Sequence, residues 1–178
     1  MEDALPLLNG NGVVQDVIYL YNQEFWEISN LEISNYREGD VQYGDNSNVK
    51  RGVYVLAENC GALHHIHIKN LVIHDINAVL GPDQFPSKNT GGIFFDAIGP
   101  APTWYDDLLV EGCHIYNVDR GGISNLSDWM NRTVDDDTGW VASQNVVIRG
   151  NVFEHIGGNG LIIRAAQSPL VEYNQFGY

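Results

Sequence analysis

Apolar residues recur along this chain in short alternating runs of three to five, and no window of 11 residues sustains a helical 3.6-residue spacing. Period-2 alternation places successive side chains on opposite faces, so these runs predict short strands with one face buried. The runs also repeat. Segments 26–36, 66–76, 108–118 and 146–156 share one pattern, and 169–176 is a partial fifth copy. Each full copy opens apolar-x-apolar and then places Asn30, Asn70, Gly112 or Gly150 at a fixed point. A second unit alternates with the first and begins at Ile18, Val53, Ile93, Ile123 and Leu161. Four of its five copies follow a glycine: Gly52, Gly92, Gly122 and Gly160.

Asn and Gly both tolerate positive φ, so at fixed points they mark tight turns. Short strands joined by such turns, repeated in register, coil a chain into a solenoid whose neighbouring strands lie about 4.8 Å apart. The pattern predicts an all-β, right-handed parallel β-helix: a single-chain solenoid of about five coils, three short strands each, incomplete at one or both ends. Successive copies, measured from Ile28 to Ile68, Val110, Ile148 and Val171, are 40, 42, 38 and 23 residues apart. The last interval is a bare coil. The excess in the others predicts insertion loops at 37–51, 77–91, 98–106 and 127–144, all flanking the Gly-led strand. Loops gathered on one face of a solenoid build its binding cleft. Asn35, Asp75 and Asn117 are expected to stack as a polar ladder inside one bend. Leucine-rich repeats share a similar strand around Leu31, but need a constant period and a helical return leg, which this chain lacks.

Composition agrees. Gly and Asn number 19 and 18 of 178 residues, the turn residues such a fold consumes. The hydrophobic share of 44% supports one folded domain over residues 1–178 rather than a disordered acidic tail. Nine basic against 23 acidic residues give a net charge of -14. With no basic stripe, nucleic acid and anionic membrane surfaces are not expected partners. The same charge leans against an anionic polysaccharide. Cys60 and Cys113 form neither a zinc pattern nor a disulfide framework. No stretch of 18 apolar residues is present, and residues 1–3 are acidic where a signal peptide would be basic.

The repeats, with the segments 21–31, 91–95 and 145–151, resemble secreted bacterial right-handed parallel β-helix proteins of the pectate-lyase-like superfamily. The resemblance covers nearly the whole chain and is specific for fold. It implies a polysaccharide- or oligosaccharide-active protein, secreted or at the cell surface in its full-length parent. The motifs of the polygalacturonase branch are missing: Asn89 and Thr90 are followed by Gly91, and Asp106-Asp107 stands in another context. The calcium pectate-lyase motif is missing too. What remains is similar to the glycoside hydrolase-like branch.

Candidate chemistry follows from strand alternation. If Ile93 and Phe95 point inward, Asp96 points out, in one column with Leu56, Leu126 and Arg164. A carboxyl on a rigid strand between loops suits a general acid, base or nucleophile. Asp119 and Glu154 are the further catalytic candidates. Arg164, Arg120 and Arg132 can bind sugar hydroxyls or carboxylates. Trp129, Trp140, Trp104 and Tyr105, on the predicted loops, suit stacking on sugar rings, and His155 stands beside Glu154. No cofactor or metal centre is expected. Asp135–Asp137 is the one candidate Ca²⁺ contact. His67, His74 and His114 are expected to face solvent without a site role, and Cys113 to be an inert core thiol. The favoured reading is glycosidic hydrolysis, with a polysaccharide lyase second. A non-catalytic glycan-binding or surface-adhesion module is the alternative. Open solenoid ends need covering, so the missing coils of a longer parent are an expected partner.

Overall fold

The computed structural model describes residues 4–36, 49–78 and 89–178. Among them the regular structure is strand, with no α-helix and none long and apolar enough to cross a membrane. Expected loop regions 37–51 and 77–91 lie largely outside the described residues.

The strands recur as triplets. These are β2 (Asp16–Tyr21), β3 (Trp26–Ser29) and β4 (Glu32–Asn35), then β5 (Arg51–Glu58), β6 (Gly61–Lys69) and β7 (Val72–Ile76). Next come β8 (Gly91–Ile98), β9 (Thr103–Glu111) and β10 (His114–Val118), then β11 (Gly121–Ser127), β12 (Gln144–Arg149) and β13 (Val152–Ile156). β1 (Leu7–Asn9) precedes them, and β14 (Leu170–Glu172) and β15 (Gln175–Phe176) follow. Like positions pair in parallel to make three sheets. Sheet A runs β1-β4-β7-β10-β13-β15, sheet B runs β2-β5-β8-β11, and sheet C runs β3-β6-β9-β12-β14. This is a parallel β-solenoid.

The register matches the repeat alignment. Ile28, Ile68, Val110, Ile148 and Val171 are successive partners in sheet C. Ile18, Val53, Ile93 and Ile123 are partners in sheet B, and Leu161 continues that column through a single bridge. All but Val171, which is 43% exposed, join Ile33, Ile73, Ile115 and Phe153 from sheet A in one core down the solenoid axis. Cys113 lies in it, 1% exposed, and burial pushes its thiol up to about 11.

Glycine leads the sheet B strands because the coils touch there. A Cβ on Gly52, Gly92 or Gly122 would stand 2.8, 2.7 or 2.3 Å from the carbonyl oxygen of the glycine one coil on. The turn between sheets C and A uses left-handed backbone in every coil, at Asn30, Asn70, Gly112, Gly150 and Tyr173. The expected polar ladder is only partly formed. Asn117 donates to Asp75 at 3.3 Å on the surface, while the register slips at Asn35 and buries it against the N-terminal turn. An interior ladder forms elsewhere. Asn151 accepts from the Cys113 N–H and donates to Asn174 and to the Val110 carbonyl.

The expected loop 98–106 is shorter than the spacing suggested. β9 begins at Thr103, leaving a tight turn, and Tyr105 is a strand residue pointing into the core.

Candidate active site

The outer face of sheet B carries the strongest concentration of chemistry. Its outward rows read Tyr19, Tyr54, Phe94, Ser124 and Tyr21, Leu56, Asp96, Leu126 across the four strands. Beyond β11 the chain continues both rows with Ile162 and Arg164. A cleft of about 310 Å³ opens here, with Phe94 and Ile162 as apolar wall and Asp96, Arg120, Ser124, Asn125, Asn159 and Arg164 as polar lining.

Asp96 is 4% exposed although its strand position points outward. Its Oδ2 accepts the Tyr54 hydroxyl at 3.0 Å, and its Oδ1 accepts the Leu126 N–H at 2.8 Å. Burial pushes its carboxyl above the usual range, against the Leu126 and Tyr54 hydrogen bonds and the charges of Arg51 and Arg164. The cost of removing a carboxylate from water outweighs those partners. From the interior, the Tyr105 hydroxyl sits 2.9 Å from the carbonyl oxygens of Val55 and Asp96, donating to one at a time. Asp96 is therefore held from both faces of its strand. Arg164 is braced by Asn125, which accepts the Arg164 N–H at 2.7 Å and donates to its carbonyl at 2.8 Å. The Arg164 guanidinium also donates to the Asn125 carbonyl.

Of the residues singled out by sequence, Asp96, Arg120 and Arg164 meet in this cleft. The others do not. Asp119 does not line the cleft but accepts the Ala78 N–H at 2.8 Å, bracketing one coil corner to the next, and burial raises its carboxyl. Glu154 and His155 stand on or beside sheet A, another face of the solenoid, with Glu154 2.8 Å from His114 Nε2. Tyr105 is core rather than a stacking platform. Trp104 is half-buried on the outside of sheet C, where it pairs in register with Ala62. Trp129, Arg132 and Trp140 fold onto their own loop. Met130 and Trp140 bridge antiparallel, Val141 donates to the Trp129 carbonyl, and the Arg132 guanidinium lies 5.7 Å from the Trp140 ring centre. In Asp135–Asp137, Asp136 accepts the Thr138 N–H at 2.9 Å, an exposed turn closed by its own backbone.

Sequence reasoning passed over the aromatic shelf beside Asp96. Tyr19 and Tyr54 stack at 5.5 Å, and the Arg51 guanidinium covers Tyr54 at 3.5 Å. Tyr19 is half-exposed and continues the surface that Tyr54 joins to the cleft. The signal was available, since both tyrosines occupy the outward middle position of the Gly-led strand alignment.

Three parallel sheets coiled around one core, with a cleft on the outer face of sheet B, define a parallel β-solenoid. The chain belongs to the right-handed β-helix family, whose "Right handed beta helix region" matches residues 16–177. It is similar to the lacto-N-biosidase of Bifidobacterium longum subsp. longum, 24% identical over 92% of this chain and 13% of that protein. It is also similar to two crystal structures of the GH136 lacto-N-biosidase from Eubacterium ramulus. The selenomethionine derivative superposes with TM-score 0.78 at 29% identity, over 99% of this chain and 34% of that one. The native protein gives TM-score 0.78 at 28% identity, over 98% and 33%. The chain thus spans about a third of the solved relatives and a smaller part of the curated one.

Proposed function

We propose that this chain contributes the β-helix part of a glycoside hydrolase that cleaves oligosaccharides of the lacto-N-bioside type, outside the cytoplasm. The observation that carries the proposal is the burial of Asp96 in a polar cleft that Arg120 and Arg164 also line. A carboxyl whose proton is favoured by burial is suited to donate it to a leaving glycosidic oxygen. Arg120, Arg164 and Asn125 line the cleft with donors for sugar hydroxyls, and half-exposed Tyr19, stacked on the buried Tyr54, offers a face to a sugar ring. The names of the relatives support hydrolysis over elimination.

Glycosidases commonly use two carboxyl groups, about 5–5.5 Å apart for retention and about 6.5–9.5 Å for inversion. Among the described residues that line the cleft, Asp96 is the one carboxyl. In the hydrolase reading the second comes from beyond the described residues. The same observation favours a second reading, in which the cleft binds the sugar without cutting it.

One assay separates the two. A lacto-N-bioside with a chromogenic leaving group is offered to the chain and to a longer parent carrying it, each with Asp96 intact and as Asp96→Asn. Hydrolysis that falls by about 100-fold or more in the variant, with sugar binding retained, supports the general acid role. Binding without turnover in either protein leaves the binding module. Turnover unaffected by Asp96→Asn removes Asp96 from the chemistry.

A further inference from the structure

A second constellation lies on a different face, the outside of sheet C. In β6 the inward positions Leu63 and Ile66 are separated by two residues instead of one, and in β9 so are Tyr105 and Leu108. The extra residue is taken up by left-handed backbone at His65 (φ 53°) and Asp107 (φ 64°). His65 and Asp107 occupy the same place in their strands, so one bend recurs in successive coils without a register shift, and it re-aims the side chains. His65 joins His67 on the outer face, their ring centres 3.9 Å apart, and Asp107 of the next coil meets both. Glu27 reaches them from the preceding coil, where it pairs in register with His67.

The contacts distribute in an ordered way. Asp107 Oδ2 is 2.7 Å from His65 Nδ1, and Asp107 Oδ1 is 2.9 Å from His67 Nε2. The other His65 nitrogen, Nε2, is 3.3 Å from Glu27 Oε1. The remaining oxygen of Glu27, Oε2, is held by Lys69 at 2.7 Å, so Lys69 does not occupy the oxygen that faces the histidines. Glu27, His65 and His67 each bring one ligand atom within 4.8 Å of the others.

We propose that Glu27, His65 and His67 bind one divalent transition-metal ion of the zinc class, with Asp107 orienting His65 through its second ring nitrogen. Two imidazoles and a carboxylate select this class of cation, whereas calcium and magnesium prefer all-oxygen shells. A ligating histidine that gives its other N–H to a carboxylate is the usual support for such a site, since it sets tautomer and ring direction. Three protein ligands at a surface leave the rest of the shell to Asp107 Oδ1 or water. With two carboxylates against one lysine, the cluster favours a cation. The ion would tie β3 directly to β6 and, through Asp107, to β9. Binding to the folded state alone would then stabilise the solenoid by mass action. This inference is independent of the hydrolase reading.

The test uses tag-free, metal-free full chain. Co²⁺ is titrated and followed by visible absorption, Zn²⁺ is titrated by calorimetry, and Ca²⁺ is the control. Saturable 1:1 binding that Zn²⁺ displaces and Ca²⁺ does not is expected, with saturating Zn²⁺ raising Tm by at least about 3 °C. The double variant His65→Ala/His67→Ala, checked for native circular dichroism, should weaken affinity by more than 100-fold. Asp107→Asn, which leaves Glu27, His65 and His67 in place, should weaken it about 10- to 100-fold. Absence of 1:1 Co²⁺ or Zn²⁺ binding below about 1 mM overturns the proposal on the unmodified chain alone. So does equal binding by the folded double variant, and then the cluster is an ion-paired network only.

Discussion

Asp96 shows how one buried carboxyl can set stability against function. Its folded pKa is raised, first by burial, so the protonated form is favoured in the native state. The stability tied to that proton is full below the unfolded value, about 3.9. It is lost as pH rises through the higher folded value. Near neutral pH an ionised Asp96 therefore costs stability. An asparagine keeps the shape, can accept the Leu126 N–H and donate to Tyr54, and carries no charge. Asp96→Asn should raise Tm at pH 7, and the gain should vanish by about pH 4. Thermal melts of both proteins across that range decide it. A variant less stable at pH 7 than at pH 4, relative to the parent, would show that the carboxylate is fully compensated in the cleft. The position of Asp96 was legible in the sequence, because alternation from Ile93 assigns its face and the repeat assigns its column with Arg164. Its burial was not, since an outward strand position says nothing of what covers it. Tyr105 was misplaced for a related reason. Gly99 and Pro100 mark a turn, but the repeat pattern begins only at Leu108, so the early start of β9 left no periodic signal.

At the scale of the element, the solenoid depends on close coil contacts that composition alone does not reveal. The glycine column of sheet B is the sharpest case. A Cβ at Gly122 would meet the Gly160 carbonyl oxygen at 2.3 Å and the Phe153 ring at 2.7 Å, groups that a coil cannot separate without opening its ladder. Gly122→Ala should cost about 1–3 kcal/mol, the range for overpacking a close contact. Denaturant unfolding measures it, and a neutral result would mean the coils part more easily than their register implies. Sheet A carries a pH-dependent element. His74 on β7 faces Glu32 of β4 at 2.9 Å and its neighbour Asp75 at 2.8 Å, and it stacks on Tyr116 of β10, with His114 beyond. Burial opposes the charged ring, but the two carboxylates outweigh it and the pKa is raised. Its stabilisation is thus full below about pH 6.5, the unfolded value, and falls as pH climbs through the folded one. The Tm difference between the parent and His74→Gln should be largest near pH 5.5 and shrink toward pH 9. A difference constant across that range would mean that protonation of His74 contributes nothing. Strand order was readable, and so was register along sheet C, where Ile28, Ile68, Val110, Ile148 and Val171 pair as their spacing implied, but not at Asn35, where the pairing slips. The left-handed bends within β6 and β9 were not. His64-His65 and Asp106-Asp107 interrupt alternation by one residue each, and only the parallel pairing of their strands turns that local irregularity into a shared cluster.

For the whole molecule, the physical question is what meets the last coil. Phe176 stacks on Phe153 at 4.8 Å with planes 6° apart, continuing the core aromatic column, yet it remains 60% exposed. Leu170 and Val171, which pair with Val147 and Ile148, are nearly half-exposed too. Strand edges bearing core residues are templates for a further strand. In solenoids each repeat is stabilised by its neighbours, and terminal repeats need a polar or covered outer face. We therefore propose that further β-helix coils of a longer parent pack on β14 and β15, in keeping with relatives of which this chain matches about a third. In isolation the chain should self-associate with rising concentration through this end. Val171→Asp with Phe176→Ser should shift it toward monomer while leaving the spectrum of the earlier coils unchanged. Sedimentation velocity over a hundredfold concentration range reads the association, and amide exchange at Val171 and Phe176 reads the local stability. A chain that stays monomeric throughout, with slow exchange at both residues, would mean that this end is already self-sufficient. The cleft on sheet B would then have to do all its work with Asp96 and the residues around it, which favours binding over hydrolysis.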